Sequence, residues 1–421
     1  MRLKNVASAL LLVLAGSPFV SAQADCPDPI TLYEEAIVLA DSLSYQSLQT
    51  SIYNDAVKGI AAKGDTARAN QILVKSFEIV RSYGDEQFSN PGYDHVSKFL
   101  EYADLFDLTE NEDSFGLAFD MAMDSASNPP PLDTTQGSIS WALDAAEDWT
   151  AIGKAFKYYD KDHGVGFVLG QVRDWMAEYP ITSRPIYALR FGWLNVELSR
   201  AYLELDSRER AKESFDTAVL FVTNLVPGEL YMDPRSRLYS DLSGMALELD
   251  YYDSALAFAK RSDFYFDFYN LAMHDYKNGD LNRARFRAAD LMNFLTRVDT
   301  ESSRPLSFYG YQKAMTAGMY ARLGATESAQ DLITNIIETY HRKLGHLSEA
   351  GADMGPNAFL DNLRIESEMD LAWLMDAYVF TNQCEEALKV IELIQDPYNK
   401  AWAKTLLAKA VLEQTGVFLE P

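Results

Sequence analysis

The sequence predicts an all-α protein, an α-solenoid of about eight helical hairpins. Three observations predict it. Apolar residues recur at helical spacing along most of the chain, as in Leu194, Leu198, Ala201, Tyr202 and Leu205. Alternating strand patterns are scarce. A turn signal repeats, in which Gly, Asp or Asn is followed five residues later by a small residue. Such a run of helix–turn–helix units buries each apolar face against the next unit.

Taken in order, residues 1–24 read as a secretory signal. Arg2 and Lys4 precede the apolar run Ala9–Ala15, and small residues follow at Ser21-Ala22 and Ala24. The run is shorter than the ~20 residues of a membrane span. Asp25 before Cys26 argues against lipidation. Residues 25–421 are expected to form a single helical-repeat domain, exported to the periplasm or secreted, with no membrane span. The full turn signals are Gly64/Ala69, Asp206/Ala211, Asp250/Ala255, Gly279/Ala284, Gly324/Ala329 and Asn382/Ala387, and weaker ones are Asn111/Gly116 and Asp160/Val165. The first residue suits a helix C-terminus in left-handed geometry. The second lies one turn inside the next helix, where a small side chain lets helices approach. Two insertions, 125–137 and 343–357, are expected as loops.

The only cysteines, Cys26 and Cys384, are 358 residues apart. Eight hairpins at ~10 Å per layer make a stack of roughly 80 Å, so an open solenoid keeps them separate. A closed α/α toroid, the alternative architecture, would bring them together.

Composition excludes whole classes. With 48% hydrophobic residues the chain buries a core and is not disordered. Lys+Arg number 37 against 62 Asp+Glu, a net charge of -25 that repels nucleic-acid phosphate. The five histidines form no HExxH, neither cysteine lies in a CxxC, and no GxSxG or phosphate loop occurs. No catalytic residue, metal site or cofactor is expected. Gly164–Gly170 (GVGFVLG) is read as a helix start with close packing. The carboxylate clusters Glu366/Glu368/Asp370 and Asp144/Glu147/Asp148 are read as solvated acidic faces.

The unit of residues 193–219, with Leu198-Ser199, Tyr202, Asp206, Ala211, Phe215 and Ala218, resembles the tetratricopeptide repeat family. So do Tyr320, Gly324, Ala329, Ile333 and Ile336, and Tyr378, Asn382, Ala387, Ile391 and Ile394 with Pro397 after them. The resemblance covers roughly residues 50–414, with most spacings near 45 rather than the family's ~34. It implies that the first helix of each repeat lines a concave binding face. The groove positions carried over include Trp193, Arg200, Phe266, Tyr269, Tyr276, Lys277, Tyr311 and Arg322, an aromatic trough with scattered cations. The expected function is a non-catalytic scaffold for a protein or peptide partner, with the acidity favouring a basic one. A carbohydrate-active enzyme of the toroid type and an envelope assembly or structural factor are the alternatives.

Overall fold

A computed structural model describes residues 26–82, 91–126, 139–158, 161–178, 185–224, 235–301, 310–354 and 358–419. The expected signal segment, most of the 125–137 insertion and Asp160 lie outside these residues. The described chain is all-α. In order, the helices are α1 (Pro29–Ala40), α2 (Gln46–Ala62), α3 (Thr66–Arg81), α4 (Pro91–Leu108), α5 (Glu112–Ala126), α6 (Ile139–Ala155), α7 (Lys161–His163), α8 (Leu169–Glu178), α9 (Pro185–Glu204) and α10 (Arg208–Asn224). Then follow α11 (Arg235–Glu248), α12 (Tyr252–Ser262), α13 (Tyr265–Lys277), α14 (Leu281–Glu301), α15 (Gly310–Arg322), α16 (Thr326–Met354), α17 (Ala358–Ala372), α18 (Met375–Phe380), α19 (Cys384–Leu393) and α20 (Pro397–Gln414).

The turn chemistry explains the hairpins. Gly64, Asp206, Asp250, Gly279, Gly324 and Asn382 all have positive φ. Each ends a helix in the same way: at Asp206, the Ser207 N–H donates to the Tyr202 carbonyl at 2.8 Å and the Asp206 N–H to the Leu203 carbonyl at 2.9 Å. Five residues on, Ala69, Ala211, Ala255, Ala284, Ala329 and Ala387 are completely buried. Any larger side chain there would drive two helices apart. In the weaker Asn111 turn the left-handed residue is its neighbour Glu110. Val165 sits instead in a π-helical turn, Gly164–Val168. Gly164 is close-packed there: a Cβ would lie 2.7 Å from the Phe156 Cβ and 3.0 Å from the Gly153 carbonyl.

The hairpins form two layers. Inner helices α2, α4, α6, α9, α11, α13, α15, α18 and α20 each pack on the next, with α17 leading into α18. Outer helices α3, α5, α8, α10, α12, α14, α16 and α19 each cover their inner partner. Outer helices such as α3, α12 and α19 carry one apolar stripe, whereas α15 and α20 are buried round most of their circumference.

The expectation of separated chain ends is corrected here. Helix α20 packs lengthwise on α1 and also touches α2, so the inner circuit closes. Among the described residues the first helix is an outer one and the last an inner one. The two together make one further hairpin that no turn connects. Leu32 and Tyr33 of α1 and Leu407 and Leu412 of α20 are essentially inaccessible, each contributing about 1.5–3 kcal/mol by burial. The same hydrophobic cluster runs from Leu32 and Phe106 to Leu374 and Leu412. Lys404 of α20 pairs with Glu35 of α1. Cys26 and Cys384 form a disulfide with Cα atoms 5.2 Å apart. The stack estimate failed because the hairpins curve into a ring instead of advancing along an axis.

The second expected loop is also corrected. Helix α16 runs to Met354 and so takes in most of 343–357. Apolar residues hold helical spacing through Ile333, Ile336, Tyr340 and Leu344. Gly345 alone costs only ~1 kcal/mol in a helix interior, too little to stop it before Gly355-Pro356.

Candidate functional site

The inner helices present side chains between one another, and these divide into two sectors. From α4 to α11 the wall is made of ion pairs that bridge neighbouring helices. Lys154 of α6 lies 3.2 Å from Glu197 of α9, and Arg190 of α9 lies 2.9 Å from Glu147 of α6. Arg200 joins Glu197 at 2.7 Å and Glu248 of α11 at 3.3 Å. Burial alone would raise the Glu197 pKa, but Lys154 and Arg200 together hold it below the usual carboxylate value. Trp193 lies beneath the Arg237 guanidinium, 5.8 Å from its ring centre.

From α13 to α20 the wall is aromatic. Phe266 stacks on Tyr311 at 5.9 Å and remains 43% exposed. Trp373 meets Trp402 edge-on at 4.9 Å. Tyr269 and Tyr276 are half-buried, and their hydroxyls make no hydrogen bond to a described residue. Burial drives the Tyr269 phenol far above its ordinary pKa, so it stays a neutral donor.

All eight expected groove residues lie on the inner helices α9, α13 and α15. Phe266 meets Tyr311 directly, and Tyr269 and Tyr276 lie in the field of Arg322. Trp193 and Arg200 belong to the other sector, against α11. Lys277 is exposed at the end of α13. Arg322 is no open groove cation. Its side chain is 3% exposed, bound by Glu413 of α20 through two hydrogen bonds of 2.9 and 2.8 Å and by Asp376 of α18 at 2.9 Å. The Phe380 ring covers it at 4.6 Å. Burial opposes its charge, yet the two carboxylates outweigh that and raise its pKa. Arg322 therefore ties α15, α18 and α20 together, and removing it would strand two carboxylates.

The Glu366/Glu368/Asp370 cluster corrects a second expectation. Only Glu366 is exposed; Glu368 and Asp370 are buried. Each serves the start of another helix. Glu368 accepts from the Asp396 N–H at 2.8 Å, at the N-terminus of α20. Asp370 accepts from the Tyr311 N–H at the start of α15 and lies 3.4 Å from Lys343. Burial lifts the Asp370 pKa to about 6, against the opposing pull of Lys343. Gly310 is required beside it, since a Cβ there would lie 2.0 Å from an Asp370 oxygen. In the other cluster, Glu147 and Asp148 are half-buried, and the Asp144 side chain lies outside the described residues.

Spacing rules missed one feature. Where α4, α6 and α9 meet, a cavity of about 210 Å³ is lined by Glu101, Asp104, Lys154, Lys157 and Glu204. Among the described residues no group of His, Cys, Asp or Glu is arranged to hold a metal ion, and no helix is long and apolar enough to cross a membrane. Comparisons with protein-family models, curated proteins and solved structures return no match.

Proposed function

We propose that the protein is an exported, non-catalytic scaffold that binds a protein or peptide partner on its inner wall. The observation that carries this reading is the aromatic sector of α13 and α15. The Phe266–Tyr311 stack keeps an open face, and two further tyrosines have uncommitted hydroxyls. Rigid aromatics of this kind are the usual anchors of peptide interfaces. Size supports the class of ligand. Among the described residues, nine inner helices spaced ~9 Å apart put their axes on a circle of about 13 Å radius, and subtracting half a helix width leaves an opening of roughly 15 Å. That admits an extended peptide or one helix and excludes a folded domain. The net charge of -25 favours a basic partner. The test is selection from a displayed peptide library, followed by Phe266→Ala, Tyr269→Ala and Tyr311→Ala. At least a tenfold loss of affinity with the helical fold retained is expected, and unchanged affinity in all three would end the reading.

A carbohydrate-active enzyme is the second reading. It is favoured by the closed ring and by Asp104 and Glu204, which lie 2.8 and 3.6 Å from the one Lys157 ammonium. Polysaccharide hydrolysis that disappears in Glu204→Gln would support it over the scaffold.

A further inference from the structure

The cavity between α4, α6 and α9 has a composition that selects its occupant. Two lysines and three carboxylates line it, and each already has a partner. Lys157 lies 2.8 Å from Asp104 and 3.6 Å from Glu204; Lys154 lies 3.9 Å from Glu204 and 3.2 Å from Glu197. Glu101 accepts from Lys98 at 2.7 Å and from Asn54 at 2.9 Å. Both lysines approach the last turn of α6, where the helix dipole favours cations. Leu100 and Ala151 add apolar surface. A volume of about 210 Å³ equals about seven waters at ~30 Å³ each, which is the bulk of a small organic ring rather than of a peptide segment.

We infer that this cavity is a subsite for a neutral, polyhydroxylated ligand the size of a single sugar residue. An added cation or anion would find its counter-charges already paired and would lose hydration without return. A polyol places no net charge. Each hydroxyl accepts from a lysine Nζ and donates to a carboxylate oxygen at once, so the ion pairs keep their partners. The C–H faces of the ring meet Leu100 and Ala151. Burial holds the Asp104 pKa above its ordinary value despite Lys157, which adds to the value of a hydroxyl donor beside it. The site is separate from the peptide reading, which rests on α13 and α15, and it shares Asp104 and Glu204 with the carbohydrate reading, although sugar binding here requires no hydrolysis.

The test is ligand-observed saturation-transfer NMR on the intact oxidised chain. The probes are methyl glycosides, trisaccharides of the same sugars, putrescine, glycine and inorganic phosphate. Saturable millimolar binding of at least one glycoside is expected, with no response from putrescine or phosphate. Tighter binding of the trisaccharide points to a glycan chain, and equal binding to a free sugar; both support the site. Glu204→Gln, which preserves shape, should weaken binding at least tenfold, and Ser97→Leu should occlude the cavity. Tyr311→Ala should leave sugar binding intact. Preferential binding of putrescine, glycine or phosphate, silence from every glycoside, or sugar binding that survives both Glu204→Gln and Ser97→Leu would overturn the inference.

Discussion

Replacing Cys26 by Ser and Cys384 by Ala removes the covalent link between the ends while leaving the α20–α1 hairpin in place. The bond spans 358 residues of sequence. Chain-entropy arithmetic for a loop of that size gives about 6 kcal/mol of denatured-state restriction, while loss of native disulfides typically costs about 2–5 kcal/mol. The lower range is the expectation, because a denatured chain this long retains local helix and is already compact. The folded ring should survive. Leu32, Tyr33, Leu407 and Leu412 still bury their surfaces, and Lys404 still holds Glu35. The assay is urea unfolding of the oxidised wild type and the double variant, followed by far-UV circular dichroism, with hydrodynamic radius measured in native buffer. The variant should unfold at lower urea with its native radius unchanged. An unmoved midpoint would mean that the bond does not form in the isolated chain. A native radius that grows would mean that the α20–α1 interface cannot close the ring alone, so the apolar contacts counted above are too weak.

Five further outcomes are expected. Ala211→Leu should cost about 1–3 kcal/mol by overpacking the α9–α10 contact, and a wild-type melting temperature would refute the hairpin register. Gly324→Ala meets no atom within 4 Å and has φ +74, so its cost of about 1–2 kcal/mol is purely conformational; Gly345→Ala, also in open space but mid-helix, should instead stabilise by up to ~1 kcal/mol. Asp370 has its folded pKa raised from 3.8 to about 6, so the folded state binds the extra proton between those values and stability falls as pH rises through them. Asp370→Asn lacks that titration, so wild type should lose roughly 2.4 kcal/mol relative to the variant between pH 4 and pH 7, and parallel pH profiles would refute it. Arg322→Met should destabilise by about 3–5 kcal/mol by stranding Asp376 and Glu413, a loss that melting experiments read directly.

The legible parts of this fold are those whose physics is local. A left-handed turn demands Gly, Asn or Asp at one position, and the next helix demands a small residue one turn later. Gly64/Ala69 and Asn382/Ala387 therefore announce their hairpins whatever surrounds them. The sectors of the inner wall are different. Lys154 finds Glu197 43 residues away and Arg322 finds Glu413 91 residues away, so no spacing rule reaches them. Asp370 looked solvated because its partner, the Tyr311 N–H, starts another helix. Ring closure is illegible for a sharper reason: the α20–α1 hairpin has no connecting turn, and turn residues are what mark the other hairpins. Yet a trace of it was present. Residues 401–412, AWAKTLLAKAVL, spread apolar side chains around the whole helix, and seven of the twelve are non-polar and buried. The last helix of an open solenoid has one flank in water and needs a polar cap there. A helix without that flank is covered by something, and among the described residues its cover is α1, which packs lengthwise on it.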